Sequence, residues 1–189
     1  MFQDFIALWK TLPKSVGNVP AKACFSPTLA PALVPNLFVA EHIARYKLEV
    51  RLLGTDIEAR PSFRVSGENL FDRLHEDEWD HFEAFLQAYR QHPCAARVKR
   101  RVTGDGGRIY DLHTLGAPLA DASGEVRYIL GVGYIEANTA ESMEASEKRK
   151  NSARPYREER IPPTIREAAF VDLGFGLPAC TLEHFNHNR

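Results

Sequence analysis

Residues 94–136, CAARVKRRVTGDGGRIYDLHTLGAPLADASGEVRYILGVGYIE, read as three strands separated by two polar turns. TGDGGR at 103–108 is the first turn and ADASGE at 120–125 the second. Each offers Gly or Asp where a tight turn needs a positive φ. The spacing predicts an antiparallel meander. Immediately upstream, Asp77 to Gln91 reads as the longest internal helix, with Glu76, Asp77 and Glu78 at its start. Carboxylates there favour the helix dipole. Trp79, Phe82, Leu86 and Tyr89 give it an apolar stripe, Phe85 lies beside that stripe, and Pro93 closes it.

Further out, Phe38–Ile43 and Lys47–Leu53 are strand candidates. In the second, Leu48, Val50 and Leu52 alternate with Lys47, Glu49 and Arg51, the pattern of a half-buried strand. Gly54-Thr55 ends it, and Thr55 reads as the N-cap of a short helix over Asp56–Arg60. Gly67 to Leu74 forms a loop leading to the long helix. At the start of the chain, Phe2, Phe5, Ile6 and Trp9 fall at i, i+3, i+4 and i+7, an amphipathic helix stopped near Pro13. Pro13, Pro20, Pro27, Pro31 and Pro35 then restrict residues 13–36 to short helical turns near Leu29 and Leu33. Residues 138–160 are nearly free of large apolar groups and read as a solvated helix or linker. Apolar character returns at Ile161, Ile165, Phe170, Val171, Leu173, Phe175 and Leu177, a tail that docks on the domain or binds a partner. The division is therefore a domain over 1–136 with an N-terminal cap helix, and a charged linker and tail over 137–189.

The 189 residues are 44% hydrophobic and 26% charged, as in globular proteins, and the net charge of −1 gives no global attraction to nucleic acid or an anionic membrane. Cys24, Cys94 and Cys180 lie far apart, without the CxxC spacing of a zinc cage. The N-terminus carries Asp4 and no long apolar run, so it is not a secretory signal. No stretch approaches transmembrane length. The expected location is the cytoplasm.

The order of two strands, small helices, one longer helix and a three-strand meander resembles a PAS domain. The chain is similar to the bacterial single-domain PAS family (PAS_5-like). Trp9 matches the tryptophan of that family's opening helix, and SPTLAPALVPNLFVAE (26–41) resembles its proline-bounded entry into the first strand. YKLEVRLLGTDI (46–57) resembles its R-x-x-G-T strand end through Arg51, Gly54 and Thr55. SGENLFDRL (66–74) resembles its G-x-x-L segment through Gly67 and Leu70, and APLADASGEVRYILGVGYIE (117–136) its last hairpin. The resemblance covers roughly residues 5–136. It implies an α+β fold: a five-stranded antiparallel sheet with helices over one face. It also implies a module that senses small molecules or binds signalling proteins, without a catalytic domain.

On that footing the leading expectation is a non-catalytic signalling regulator or adaptor. It docks on a partner such as a sensor kinase, or on itself as a homodimer. The last strand is apolar on both faces, with Val126, Tyr128, Leu130, Val132 and Tyr134 in one row and Ile129, Gly131, Gly133 and Ile135 in the other. Such a strand must be covered on both sides. The cover is the N-terminal helix, a partner, or both, so the interface candidates are Phe2, Phe5, Ile6, Trp9, Tyr128, Leu130, Val132 and Tyr134. The alternative is a small-molecule sensor with a pocket lined by Phe63, Leu70, Leu74, Phe82, Arg100 and Tyr110.

Alternation in RVKRR places Ala96, Val98, Arg100 and Val102 on one face, where a buried Arg100 needs an anionic partner or ligand unless a bulge exposes it. Asp111 and His113 share a face at i, i+2, but no nucleophile accompanies them, and an enzyme is not expected. His75, His81 and His92 bracket the long helix, where a histidine ligates haem in some PAS domains; no cofactor is assigned. His184 and His187 are too few for a metal site. Arg97–Arg101 satisfies RxxxR, half of a cyclic-dinucleotide motif, and Asp121 and Ser123 meet the other half only in part. Arg97, Lys99, Arg101 and Arg108 are the residues a nucleic-acid binder would use, and the near-neutral charge weighs against that reading.

Overall fold

The computed structural model describes residues 1–59, 65–104, 107–150, 164–180 and 182–185. Its centre is an antiparallel sheet of strands β1 (Leu37–Ala44), β2 (Lys47–Leu53), β3 (Ala95–Thr103), β4 (Ile109–Ala120), β5 (Val126–Ala137) and β6 (Thr164–Val171), in the order β2-β1-β5-β4-β3-β6. Helix α1 (Phe2–Thr11) lies at the start of the chain and α2 (Thr55–Glu58) follows β2. Helix α3 (Trp79–Gln91) precedes β3, and α4 (Thr139–Lys150) follows β5.

The meander forms where the turn residues place it. Gly107 (φ 71°) and Gly124 (φ 89°) take the left-handed backbone that the two turns require. In the second turn Asp121 Oδ1 accepts bonds from Ser123 N, Ser123 Oγ and Glu125 N at 2.8, 2.6 and 3.0 Å. Asp121 and Ser123 thus hold their own hairpin, while Arg97 and Arg101 lie on β3.

The expected count of five strands becomes six. The tail returns as β6 and pairs with the free edge of β3, from Ala95↔Val171 to Arg101↔Thr164. Ile165 and Ala168 are buried, and Phe170 stacks on Phe85 at 5.4 Å between ring centroids. Phe185 is also buried, edge-on to Phe85. Pairing across a long connection leaves no local sequence signal, which is why the sixth strand was legible only as renewed apolar character. Ile161 and His187 lie outside the described residues.

Thr55 is the first helical residue of α2 and not its cap; Gly54 holds the cap position. A Cβ on Gly54 would lie 2.2 Å from the Pro35 carbonyl oxygen, so only glycine fits where the proline-rich lead-in crosses the strand end. That lead-in forms short turns over Pro27–Leu29 and Pro31–Asn36, which bury Leu33 and leave Leu29 exposed.

Two apolar layers flank the sheet. On the inner face α3 and the turn Leu70–Arg73 pack Phe71, Phe82, Phe85, Leu86 and Tyr89 over Ala40, Ala96, Val98 and Ile129. On the outer face α1 packs Phe5 and Trp9 over Val39, Leu115, Ala117, Leu119, Leu130 and Val132. Trp9 Nε1 donates to the Pro118 carbonyl oxygen at 2.9 Å, the buried polar bond that fixes the helix on the sheet.

Candidate functional site

The inner layer does not close completely. Between α3, the turn Leu70–Arg73 and the inner row of the sheet lies a cavity of about 150 Å³. Its wall is apolar over most of its extent, with Phe38, Leu48, Leu74, Phe82, Leu86 and Ile129 among the lining side chains. Period-2 alternation in β3 puts Ala96, Val98, Arg100 and Val102 on this wall, and the same alternation in β4 adds Leu112, Thr114 and Gly116. Gly116 and Gly131 face each other across β4 and β5. A Cβ on Gly131 would lie 2.3 Å from Phe38 Cζ, so the two glycines make room for the Phe38 ring at one end of the cavity.

Two guanidinium groups border this apolar space. Arg73 gives its Nε to Glu68 Oε2 at 2.6 Å. Arg100 makes a weaker set: a 3.5 Å bond from Nη1 to Thr114 Oγ1 and a position over the Phe82 ring, 5.4 Å from the centroid. Thr114 Oγ1 donates in turn to the Val98 carbonyl oxygen at 3.2 Å. Among the described residues no carboxylate lies within ion-pair distance of Arg100. Desolvation pushes its pKa down to about 10, and the more distant Glu78 opposes that shift. Glu78 is itself raised above its ordinary value, first by burial and then by the neighbouring Asp77, and its Oε2 has no hydrogen-bond partner.

Leu70, Leu74, Phe82 and Arg100 from the sequence-derived pocket set therefore meet at one cavity. Tyr110 does not. It stands on the same row of β4 but one step beyond Leu112, in a separate cluster with Ile57, Val102, Leu53 and Ile135. Phe63 lies outside the described residues. Tyr89 belongs to the apolar stripe of α3. It borders the cavity with its hydroxyl buried and without a partner, and burial holds its pKa well above the ordinary value.

A buried polar cluster between β1 and α3 escaped the sequence reading altogether. His42 Nε2 meets Glu83 Oε1 at 3.0 Å, and Arg90 Nη1 meets His42 Nδ1 at 3.0 Å. Glu83 Oε2 also accepts from Tyr46 N at 3.1 Å, and Arg90 Nε donates to the Val126 carbonyl oxygen at 2.6 Å. The available signal was Glu83 lying within the apolar stripe of α3, four residues after Trp79.

The interface candidates divide. Phe5, Trp9, Leu130 and Val132 are internal, at 0% exposure, because α1 packs onto its own sheet. These four face one another and not solvent, which corrects their expected place on a docking surface. Phe2, Ile6, Tyr128 and Tyr134 remain half-buried around that contact. Phe2 meets Tyr134 at 5.6 Å, and His113 stacks under Tyr134 at 4.7 Å.

The remaining candidates have local roles. Asp111 pairs with Lys99 at 3.4 Å and His113 with Glu136 at 3.3 Å. Arg101 pairs with Glu141 of α4 at 2.9 Å, so acids interleave the basic strand, while Arg97 and Arg108 are exposed. None of His75, His81 and His92 lines the cavity. His81 stacks on His184 at 3.5 Å, and His92 Nε2 meets the Phe175 carbonyl oxygen at 3.1 Å. Among the described residues no group of three or more potential metal ligands occurs, and no helix is long and apolar enough to cross a membrane.

No curated protein matches the sequence. Several solved structures are similar to the chain, among them the following three. The PAS-B domain of Drosophila melanogaster Cycle with bound glycerol is 12% identical, with a TM-score of 0.37 over 52% of this chain and 99% of that one. A sensory box histidine kinase/response regulator from Burkholderia thailandensis is 14% identical, with a TM-score of 0.39 over 66% and 94%. An RNA-binding light-oxygen-voltage receptor is 15% identical, with a TM-score of 0.45 over 74% of this chain and 40% of that one. The model of a PAS domain family, PAS_5, matches residues 2–134, a span that runs from α1 through the meander and takes in every strand that walls the cavity. The chain therefore belongs to the PAS_5 family of PAS domains, sensor and interaction modules of signalling proteins.

Proposed function

We propose that this PAS domain is a non-catalytic signalling sensor whose internal cavity holds a small organic ligand. One observation carries the reading: an apolar cavity of about 150 Å³ opens beside Arg100 between the helices and the inner face of the sheet. Native cores leave few voids larger than a water molecule. A void of about this size lined by Leu, Ile and Phe takes a benzene-sized molecule, whereas drug-sized ligands need roughly twice the space or more. Occupancy stabilises the conformation that binds it and shifts the population of signalling states. Native mass spectrometry with the denatured mass alongside tests this. The expected result is an added mass below about 200 Da that is lost on denaturation, or is acquired on incubation with a library of such compounds. A native mass unchanged by either route contradicts the reading.

The second reading is docking on a signalling protein such as a sensor kinase, or on a second copy. The half-buried aromatic row Phe2, Tyr134 and His113, at the margin of the α1 contact, favours it. Light scattering and pull-down of the wild type against Tyr134→Asp test it: association that the substitution leaves unchanged removes this surface. The two readings combine if ligand occupancy sets the docking affinity.

A further inference from the structure

We infer that the cavity selects a small monocarboxylate with an apolar body, its carboxylate held by the Arg100 guanidinium. The inference rests on the cavity reading and names its ligand class. Arg100 reaches the wall from an interior strand position, with β4 on one side of β3 and β6 on the other. The side chain lines the cavity, and its polar contact there is to the Thr114 hydroxyl at 3.5 Å. A guanidinium carries five N–H donors in a planar fork that matches a carboxylate bidentately. A half-buried cation on an apolar wall favours an ionic partner, yet among the described residues Arg100 forms no ion pair and Glu78 acts on it only at longer range. The other cationic group on the wall, Arg73, is already paired with Glu68. One uncommitted cation suits a monoanion; a phosphate dianion would keep a buried excess charge. Apart from the Thr114 and Tyr89 hydroxyls the rest of the lining is apolar, and the volume limits the body to about six to ten heavy atoms on the scale of the benzene-sized cavity.

The test is calorimetric titration of the full chain with two matched pairs, benzoate against benzamide and isovalerate against isovaleramide. Each pair keeps shape and exchanges the carboxylate for a neutral amide. The expected result is that each carboxylate binds at least tenfold tighter than its amide. R100M removes that gap and R100K narrows it by losing the bidentate fork. Equal binding of acid and amide to the wild type overturns the monocarboxylate inference and leaves the cavity reading standing. Absence of binding by all four compounds, read as unshifted methyl resonances of Leu74 and Ile129 at millimolar ligand, overturns both. A gap that persists in R100M assigns the selectivity to another group and overturns the role of Arg100.

Discussion

Arg100 illustrates how a single alternation rule and a single neighbour decide a side chain's task. Its position on the inner row follows from period 2 in β3, and the cavity is what the smaller side chains around it leave open. Replacing a desolvated cation that lacks an ionic partner with an isosteric apolar chain removes a solvation cost. Arg100→Met in ligand-free protein is therefore expected to raise stability by about 1 kcal/mol, some 2–4 °C in Tm, by urea and thermal melts. A loss of stability of that size instead would show that Arg100 is structurally satisfied. Gly54 behaves oppositely. Because a Cβ meets the Pro35 backbone at 2.2 Å, Gly54→Ala is expected to cost about 2–3 kcal/mol in urea unfolding, where an ordinary loop glycine would tolerate alanine. Trp9→Phe keeps most of the ring contact but strands the buried Pro118 carbonyl oxygen, at an expected cost of about 2 kcal/mol. Arg100 and the Gly54 position were both visible in the sequence, as an outlier in alternation and as a strand-ending glycine. The His42–Glu83–Arg90 cluster was not, because it joins residues on two elements far apart in the chain, and no local pattern reports such a meeting.

At the scale of elements, α1 covers the outer face of the sheet and β6 extends its edge. Leu130 at the centre of the α1 contact is fully buried, so Leu130→Glu is expected to unfold the domain, at a cost of 3 kcal/mol or more by the approximate scale for an unpaired core charge. It is not a surface variant that leaves the fold intact. Far-UV circular dichroism in urea distinguishes these outcomes. The edge strand β6 can be followed through Cys94, which sits beside the Ala95–Val171 pair, fully buried, with its thiol pushed up to about 11 mainly by burial. Ile165→Asp is expected to undock β6 and speed Cys94 labelling roughly tenfold for each 1.4 kcal/mol of local stability lost. Cys24 and Cys180, both partly exposed, label early in either protein.

The loop after β6 adds a pH response. Asp172 Oδ1 accepts from the backbone N–H groups of Gly174, Phe175 and Gly176, and those bonds hold its carboxyl below the usual 3.8. A depressed folded pKa contributes stability that is present above the unfolded value and lost as pH falls through the folded one. Asp172→Asn is thus expected to lower stability at neutral pH while leaving acid pH little changed, which flattens the limb of the stability profile below about pH 3.8. The strands and helices themselves were legible because period 2, period 3.6 and the turn glycines act within a few residues. The register of β6 with β3 was not, because it is set by edge pairing and by burial of Ile165 and Ala168.

Over the whole molecule, the two layers do different work. The outer layer ties the N-terminal helix to the sheet. The inner layer stays incomplete around an arginine, and on the proposed reading that cavity is where a ligand would act. A void of this size would otherwise be a cost to the core, since stability falls with each cubic ångström left empty. A ligand that fills it recovers the missing contacts, so binding and stability are linked through mass action.

The most direct measurement is a methyl-labelled NMR titration of the full chain with benzoate. The account predicts saturable shifts confined to methyls on the cavity wall, those of Leu48, Leu70, Leu74, Leu86, Val98 and Ile129, while exposed Leu29 and Leu177 stay fixed. Unshifted cavity methyls, or shifts confined to the surface, would contradict it.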